Sequence, residues 1–152
     1  MINENFKQTI KIVQELLNKN NIKWAIIGST NIQLQGMDVN PNDLDIVIKL
    51  KDLAKMPSIF SDYNVSSINE LKPFANESTW EVKIVINNIE VQILGETDTG
   101  QYNRKFTENQ LINIRLDGLE IPCFTLEAEA KVYSKTNRQH KANLIKEFLK
   151  NK

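Results

Sequence analysis

Residues 80–93 constrain the fold more than any other stretch of this chain. Trp80, Val82, Ile84 and Ile86 occupy every second position, Asn87-Asn88 follows, and Ile89, Val91 and Ile93 resume the alternation. A period of two puts such residues on one face of a strand. A two-residue Asn-Asn loop suits a type I′ hairpin, because asparagine tolerates positive φ. The loop length then sets the register: Ile86 opposite Ile89, Ile84 opposite Val91, Val82 opposite Ile93. All six face a core. Glu90 and Gln92 fall on the other face, with Lys83 across from Gln92.

The remaining elements follow from the same kind of pattern. Phe6, Ile10, Val13, Leu16 and Leu17 form one stripe at helical spacing, with Asn3 or Asn5 as N-cap and Asn20-Asn21 as the stop. Trp24–Ile27 is a short continuous apolar run, the mark of a buried strand. Gly28-Ser29 follows at once, then a short helix from Thr30 to Gln35 that Gly36 stops. After a loop at Pro41-Asn42, a strand from Leu44 to Leu50 puts Leu44, Ile46 and Ile48 on one face and Asp43, Asp45 and Val47 on the other.

Further along, Lys51–Met56 reads as a short helix ending at Pro57, and Val65–Ile68 as an edge strand. A second hairpin is expected around Asp117-Gly118, a strong turn pair, with Pro122 as its end. Thr125 caps a helix carrying Glu127 and Glu129 in its first turn, where acidic groups favour the helix dipole. Asn137 breaks the pattern, and Ala142, Leu144, Ile145, Phe148 and Leu149 mark a last amphipathic helix. The expectation is an α+β fold with a mixed, largely antiparallel sheet covered by helices on one face. The 152 residues suit one domain, with a core over about 22–95 and a C-terminal hairpin and helices over about 111–150.

Composition narrows the function. Lys+Arg and Asp+Glu are both 19, so the formal net charge is zero. Non-specific nucleic-acid binding needs a basic surface, and attraction to anionic membranes does too. Apolar runs are far shorter than the ~20 residues that span a bilayer. The N-terminus lacks the basic and apolar regions of a signal peptide. Cys123 is the only cysteine, which excludes an internal disulfide and a Cys-based zinc cluster, and its apolar surroundings predict burial. These features predict a soluble, cytoplasmic protein.

Two short motifs carry chemistry. Asp43 and Asp45, at i and i+2 on a strand, project from one face, and two carboxylates that close favour a divalent cation such as Mg²⁺ or Mn²⁺. Alone, the pair is also what a solvated strand face shows. Gly28 permits close backbone approach at a strand-to-helix junction, and Ser29 adds a hydroxyl, features that suit phosphate oxygens or merely a tight turn. Together the motifs are far more specific.

An apolar strand, Gly28-Ser29, a short helix, a loop and a strand opening Asp43-Leu44-Asp45-Ile46 resemble the nucleotidyltransferase fold of the DNA polymerase beta superfamily. Thirteen residues separate Ser29 from Asp43. More narrowly, the chain resembles small bacterial nucleotidyltransferase-like proteins, distant relatives of aminoglycoside and lincosamide nucleotidyltransferases. The resemblance covers residues 6–95 and, more loosely, the C-terminal helices.

The resemblance implies transfer of a nucleoside monophosphate from a nucleoside triphosphate to an acceptor hydroxyl on a small molecule or a protein. It implies that Asp43 and Asp45 hold Mg²⁺ or Mn²⁺, and that Gly28 and Ser29 meet the phosphates. Lys131 matches a lysine that meets the triphosphate in similar proteins, with Lys83 a second candidate. A third carboxylate belongs on a neighbouring strand, yet counting back from Gly95 puts Gln92 there. An amide oxygen can ligate a metal but carries no charge. Glu90, about 7 Å along the strand, is the stand-in. The chain lacks room for the extra helical domain that binds the acceptor in antibiotic-modifying relatives, which makes a homodimer that builds the acceptor pocket between subunits an expectation. The alternative implied by Gln92 is a module of the same fold that binds a nucleotide or a protein partner without catalysis, such as a toxin–antitoxin component. His140 reads as part of a solvated helix face, and Trp24 and Trp80 as core.

Overall fold

The computed structural model describes residues 2–71, 79–97, 106 and 109–152. Asn3 caps the first helix, α1 (Glu4–Lys19), its side-chain oxygen accepting from the Phe6 N–H at 2.9 Å. Phe6, Ile10, Val13 and Leu17 are buried along one stripe of that helix. The helix ends at Asn20, and Asn21 turns the chain with φ +56°.

Strand β1 (Trp24–Ile27) runs into α2 (Gly28–Leu34), and β2 (Leu44–Lys49) follows. Then come a 3₁₀ segment (Leu50–Lys55), α3 (Met56–Ile59) and the strands β3 (Asn69–Leu71), β4 (Thr79–Ile86), β5 (Ile89–Glu96), β6 (Leu111–Leu116) and β7 (Leu119–Phe124). Helices α4 (Leu126–Lys135) and α5 (Gln139–Lys150) close the chain. The seven described strands form one sheet in the order β3-β4-β5-β2-β1-β7-β6. Only β2–β5 and β1–β7 are parallel neighbours, so the sheet is mixed and largely antiparallel, an α+β fold as expected.

Helices cover both faces of the sheet, not one as the sequence pattern suggests, because α4 packs on the face opposite α1. One face packs against α1, with Leu44, Ile46 and Ile48 of β2 and all six apolar residues of the β4–β5 hairpin buried. On the other face Ala25, Ile27, Val47, Leu94 and Phe124 form a smaller cluster that meets Ala128 of α4. Ile32 of α2 packs with Leu126, Ala130 and Tyr133 of α4 and Ala142 and Ile145 of α5. That third cluster fixes α2 relative to the two C-terminal helices. Among the described residues no helix is long and apolar enough to cross a membrane.

The β4–β5 register is the one the loop length predicts, down to Lys83 opposite Gln92. Asn87 and Asn88 sit at φ +54° and +63°, the type I′ pair. Changing Asn88→Gly should hold or raise stability by roughly 0.5 kcal/mol, whereas Asn88→Val should cost about 1–2 kcal/mol, because left-handed backbone crowds a β-carbon. Urea unfolding of the two variants checks this.

Three further expectations need correction, two of them involving proline. Pro57 does not stop a helix. It lies in the first turn of α3, where its missing N–H has no helical partner to lose. Nor does Pro122 end β7, which runs through it to Phe124. In the register set by the Asp117-Gly118 turn, Pro122 pairs with Asn113 at a position where β7 donates no hydrogen bond to β6. Finally, Val65 makes only an isolated bridge to Ile84, and the paired edge strand is Asn69–Leu71.

Candidate active site

The site begins where β1 becomes α2. Antiparallel pairing sets Ile27 opposite Asp45, so the chain turns into α2 directly beside that carboxylate. Gly28 has φ +73°, and a β-carbon there would sit 2.9 Å from Asp45 Oδ2. Both the backbone conformation and the space demand glycine. On the other side of β2, Gln92 of β5 is the parallel neighbour of Asp45. Thr30 ties the first turn of α2 to the approach of β2, its hydroxyl donating to the Asp43 carbonyl at 2.9 Å.

Helix α4 supplies the facing wall. Thr125 caps it, its hydroxyl accepting from the Ala128 N–H at 3.2 Å. One turn in, Glu129 is only 1% exposed. Its Oε1 accepts from the Gly28 N–H and from the Asn31 side-chain amide, each at 3.0 Å. The same Asn31 amide donates to the Phe124 carbonyl at 2.8 Å. The buried Glu129 carboxylate therefore joins the start of α2 to α4, and Asn31 joins α2 to the end of β7.

Tyr133 follows Glu129 by four residues and so shares its helix face. The Arg138 guanidinium lies 4.7 Å from the centroid of the Tyr133 ring and the Lys141 ammonium 5.5 Å. Such stacking holds cations over an aromatic face. Between these groups and the sheet lies a cavity of about 190 Å³. Gly28, Ser29, Asp45 and Gln92 line it from the sheet side, and Glu129, Tyr133, Arg138 and Lys141 from the helices. The sheet side contributes one carboxylate, Asp45, and the helices contribute the two cations Arg138 and Lys141 beside the buried Glu129.

The sequence-predicted residues divide between this cleft and other places. Gly28, Ser29, Asp45 and Gln92 meet there. The Gly28 N–H, however, points to Glu129, so Gly28 contributes space rather than a phosphate donor. Asp43 is half-buried one residue before β2 and does not line the cavity itself. Lys131 is exposed and borders a separate groove with Lys135 and Lys146. At 100° per residue it stands about 200° around α4 from Glu129, which turns it away from the cleft. Lys83 and Glu90 are both half-exposed and face each other at 3.7 Å, so neither joins the site.

Five residues of the site or its surroundings escape sequence reasoning: Glu81, Glu129, Tyr133, Arg138 and Lys141. Glu129 carried one usable signal, a carboxylate within a helix whose neighbours Leu126, Ala130 and Tyr133 are buried. Glu81 is buried on β4 and its carboxylate accepts from the Gln92 amide. Cys123 is buried, and its thiol pKa is pushed up, first by that burial and then by the charge of Glu129.

Among the described residues no group of three or more His, Cys, Asp or Glu is placed to hold a metal ion. The oxygens that Asp45 and Gln92 offer are nevertheless of the hard type that Mg²⁺ and Mn²⁺ prefer. The arrangement fits a divalent cation with fewer than three fixed charges.

Comparison with known proteins agrees with this fold. No curated protein matches the chain by sequence. A candidate nucleotidyltransferase from Thermotoga maritima is similar in structure, with a TM-score of 0.75, 22% identity, and coverage of 100% of this chain and 97% of that one. The lincosamide antibiotic adenylyltransferase LnuA, solved with lincomycin bound, has a TM-score of 0.59 at 15% identity, covering 95% of this chain and 98% of its own. ANT(2″)-Ia, solved with adenylyl-2″-tobramycin, has a TM-score of 0.59 at 11% identity, covering 94% of this chain and 88% of its own. The model of the aminoglycoside-2″-adenylyltransferase family matches residues 9–146. The chain therefore belongs to the aminoglycoside-2″-adenylyltransferase family, a family of nucleotidyltransferases.

Proposed function

We propose that this protein transfers a nucleoside monophosphate from a nucleoside triphosphate to a hydroxyl of a small molecule, with Mg²⁺ or Mn²⁺ as cofactor. The carrying observation is the close approach of Asp45 to Gly28, which leaves no room for a β-carbon and sets a strand-to-helix turn against a carboxylate within one cleft. The bound ligands of LnuA and ANT(2″)-Ia support a small-molecule acceptor over a protein side chain.

In this reading Asp45 and the Gln92 oxygen would hold the cation from within the cavity, with Asp43, two residues before Asp45, reaching it from outside the cavity lining, and the cation would supply Lewis-acid polarisation of the phosphate. Ser29 donates its hydroxyl to phosphate oxygens at the turn. Arg138 and Lys141, already stacked on Tyr133, balance the charge of the triphosphate. Glu129 keeps α2 in place beneath it. The acceptor oxygen attacks the α-phosphorus in line, pyrophosphate leaves, and the acceptor proton passes to solvent.

The test uses α-labelled nucleoside triphosphates with Mg²⁺ and a panel of aminoglycosides, lincosamides and the protein itself. Label on an antibiotic-type acceptor, lost with chelator, is the expected result. Label on the protein alone would transfer the assignment to a protein acceptor. Gln92 in place of an acid favours a second reading, a module of this fold that binds nucleotide without transferring it. Magnesium-dependent triphosphate binding with no labelled product selects that reading.

A further inference from the structure

We propose that Glu81 is a positioning residue for the cleft, holding the Gln92 amide so that its carbonyl oxygen, not its NH₂ group, is presented beside Asp45. The inference rests on the nucleotidyltransferase reading of the cleft. Glu81 lies on β4 opposite Leu94, one step diagonal from Gln92, and is 6% exposed. Strand alternation puts Glu81, Gln92 and Asp45 on the same face of the sheet. The Gln92 Nε2 donates to Glu81 Oε2.

An ionised carboxylate has only acceptor sites, so it binds the nitrogen end of an amide and never the oxygen end. Without Glu81 the amide has two nearly equivalent orientations, and in one of them an N–H faces the cleft. With Glu81 the choice is made. Gln92 is the register neighbour of Asp45 and lines the cavity, so its oxygen adds an acceptor where a cation needs one. The negative charge missing from Gln92 is thus present one strand further out and acts through the amide. Lys83, the next residue on that face of β4, turns to Glu90 instead.

Two measurements on the full chain test this. The first needs no nucleotide. In ¹⁵N–¹H spectra the Gln92 side-chain NH₂ should be shifted downfield and slow to exchange, and Glu81→Gln should return it to a solvent-like position. The second is ATP affinity by calorimetry with Mg²⁺ and with EDTA. Partners that orient a metal ligand contribute roughly 10–100-fold in metal affinity, so Glu81→Gln should cut the Mg²⁺ enhancement about tenfold while affinity in EDTA and the melting temperature change little.

The exchanged pair, Glu81→Gln with Gln92→Glu, keeps one acid and one amide and should recover the enhancement. A solvent-like Gln92 resonance in the native protein overturns the inference, as does equal loss of affinity with and without Mg²⁺. An exchanged pair no better than Glu81→Gln alone also overturns it. If the native protein binds no ATP with Mg²⁺, the functional reading fails, and the resonance alone then decides the Glu81–Gln92 pairing.

Discussion

Asp45→Asn should lower nucleotidyl transfer by about a thousandfold while leaving the fold intact. Asparagine keeps the size of aspartate and removes the charge. Cation-assisted stabilisation of a phosphoryl transition state is worth several kcal/mol. A loss of about 4 kcal/mol corresponds to roughly a thousandfold in rate. Asp45 is the carboxylate that both the Gly28 turn and the Gln92 strand address, so no described neighbour occupies an equivalent place. Initial rates at saturating triphosphate, with Mg²⁺ titrated, measure the effect. Transfer within tenfold of the native rate would show that Asp45 does not hold the cation.

Glu129→Leu should lower the stability of the whole protein by about 3 kcal/mol or more, because it leaves two buried donors without their charged acceptor. Those donors are the Gly28 N–H and the Asn31 amide. Glu129→Gln keeps an oxygen in place and should cost about half as much, since a neutral acceptor makes the weaker bond. Domains of this size unfold at about 5–15 kcal/mol, so the leucine variant gives up a large share of the margin. Urea unfolding gives both numbers. A leucine variant within 1 kcal/mol of native would mean that water or a rearranged Asn31 replaces the carboxylate at little cost.

The chain's own pattern determined a good deal. Alternation over residues 80–93 and the Asn-Asn loop specify the β4–β5 register, because a one-residue slip would turn every apolar side chain away from the core. The stripe of α1, the apolar run of β1 and the Gly28-Ser29 to Asp43-Leu44-Asp45 spacing were legible for the same reason. Each is a local rule acting over a few residues. Where two local rules competed, the pattern misled. Pro57 and Pro122 both read as stops, yet each occupies a position where its N–H is not needed, which for Pro57 depends on where α3 begins and for Pro122 on strand register.

Only the tertiary structure decided who faces the cleft. Glu129 lies 101 residues from Gly28 in sequence, and although its helical spacing to Leu126 and Tyr133 sets it on the apolar face of α4, nothing local says which donors that face meets. The docking of α4 against α2 buries Glu129 and leaves Glu127 exposed. The same rotation turns Lys131 outward, and the α4–α5 turn and the first turn of α5 set Arg138 and Lys141 over the Tyr133 ring at the cleft. Glu81 and Glu90 are each one register step from Gln92 and look alike in sequence. Glu81 sits in the covered part of the sheet bonded to Gln92, and Glu90 sits at the open end with Lys83. Periodicity tells which face of its own element a side chain takes, whereas what that face meets depends on contacts between residues far apart in the chain.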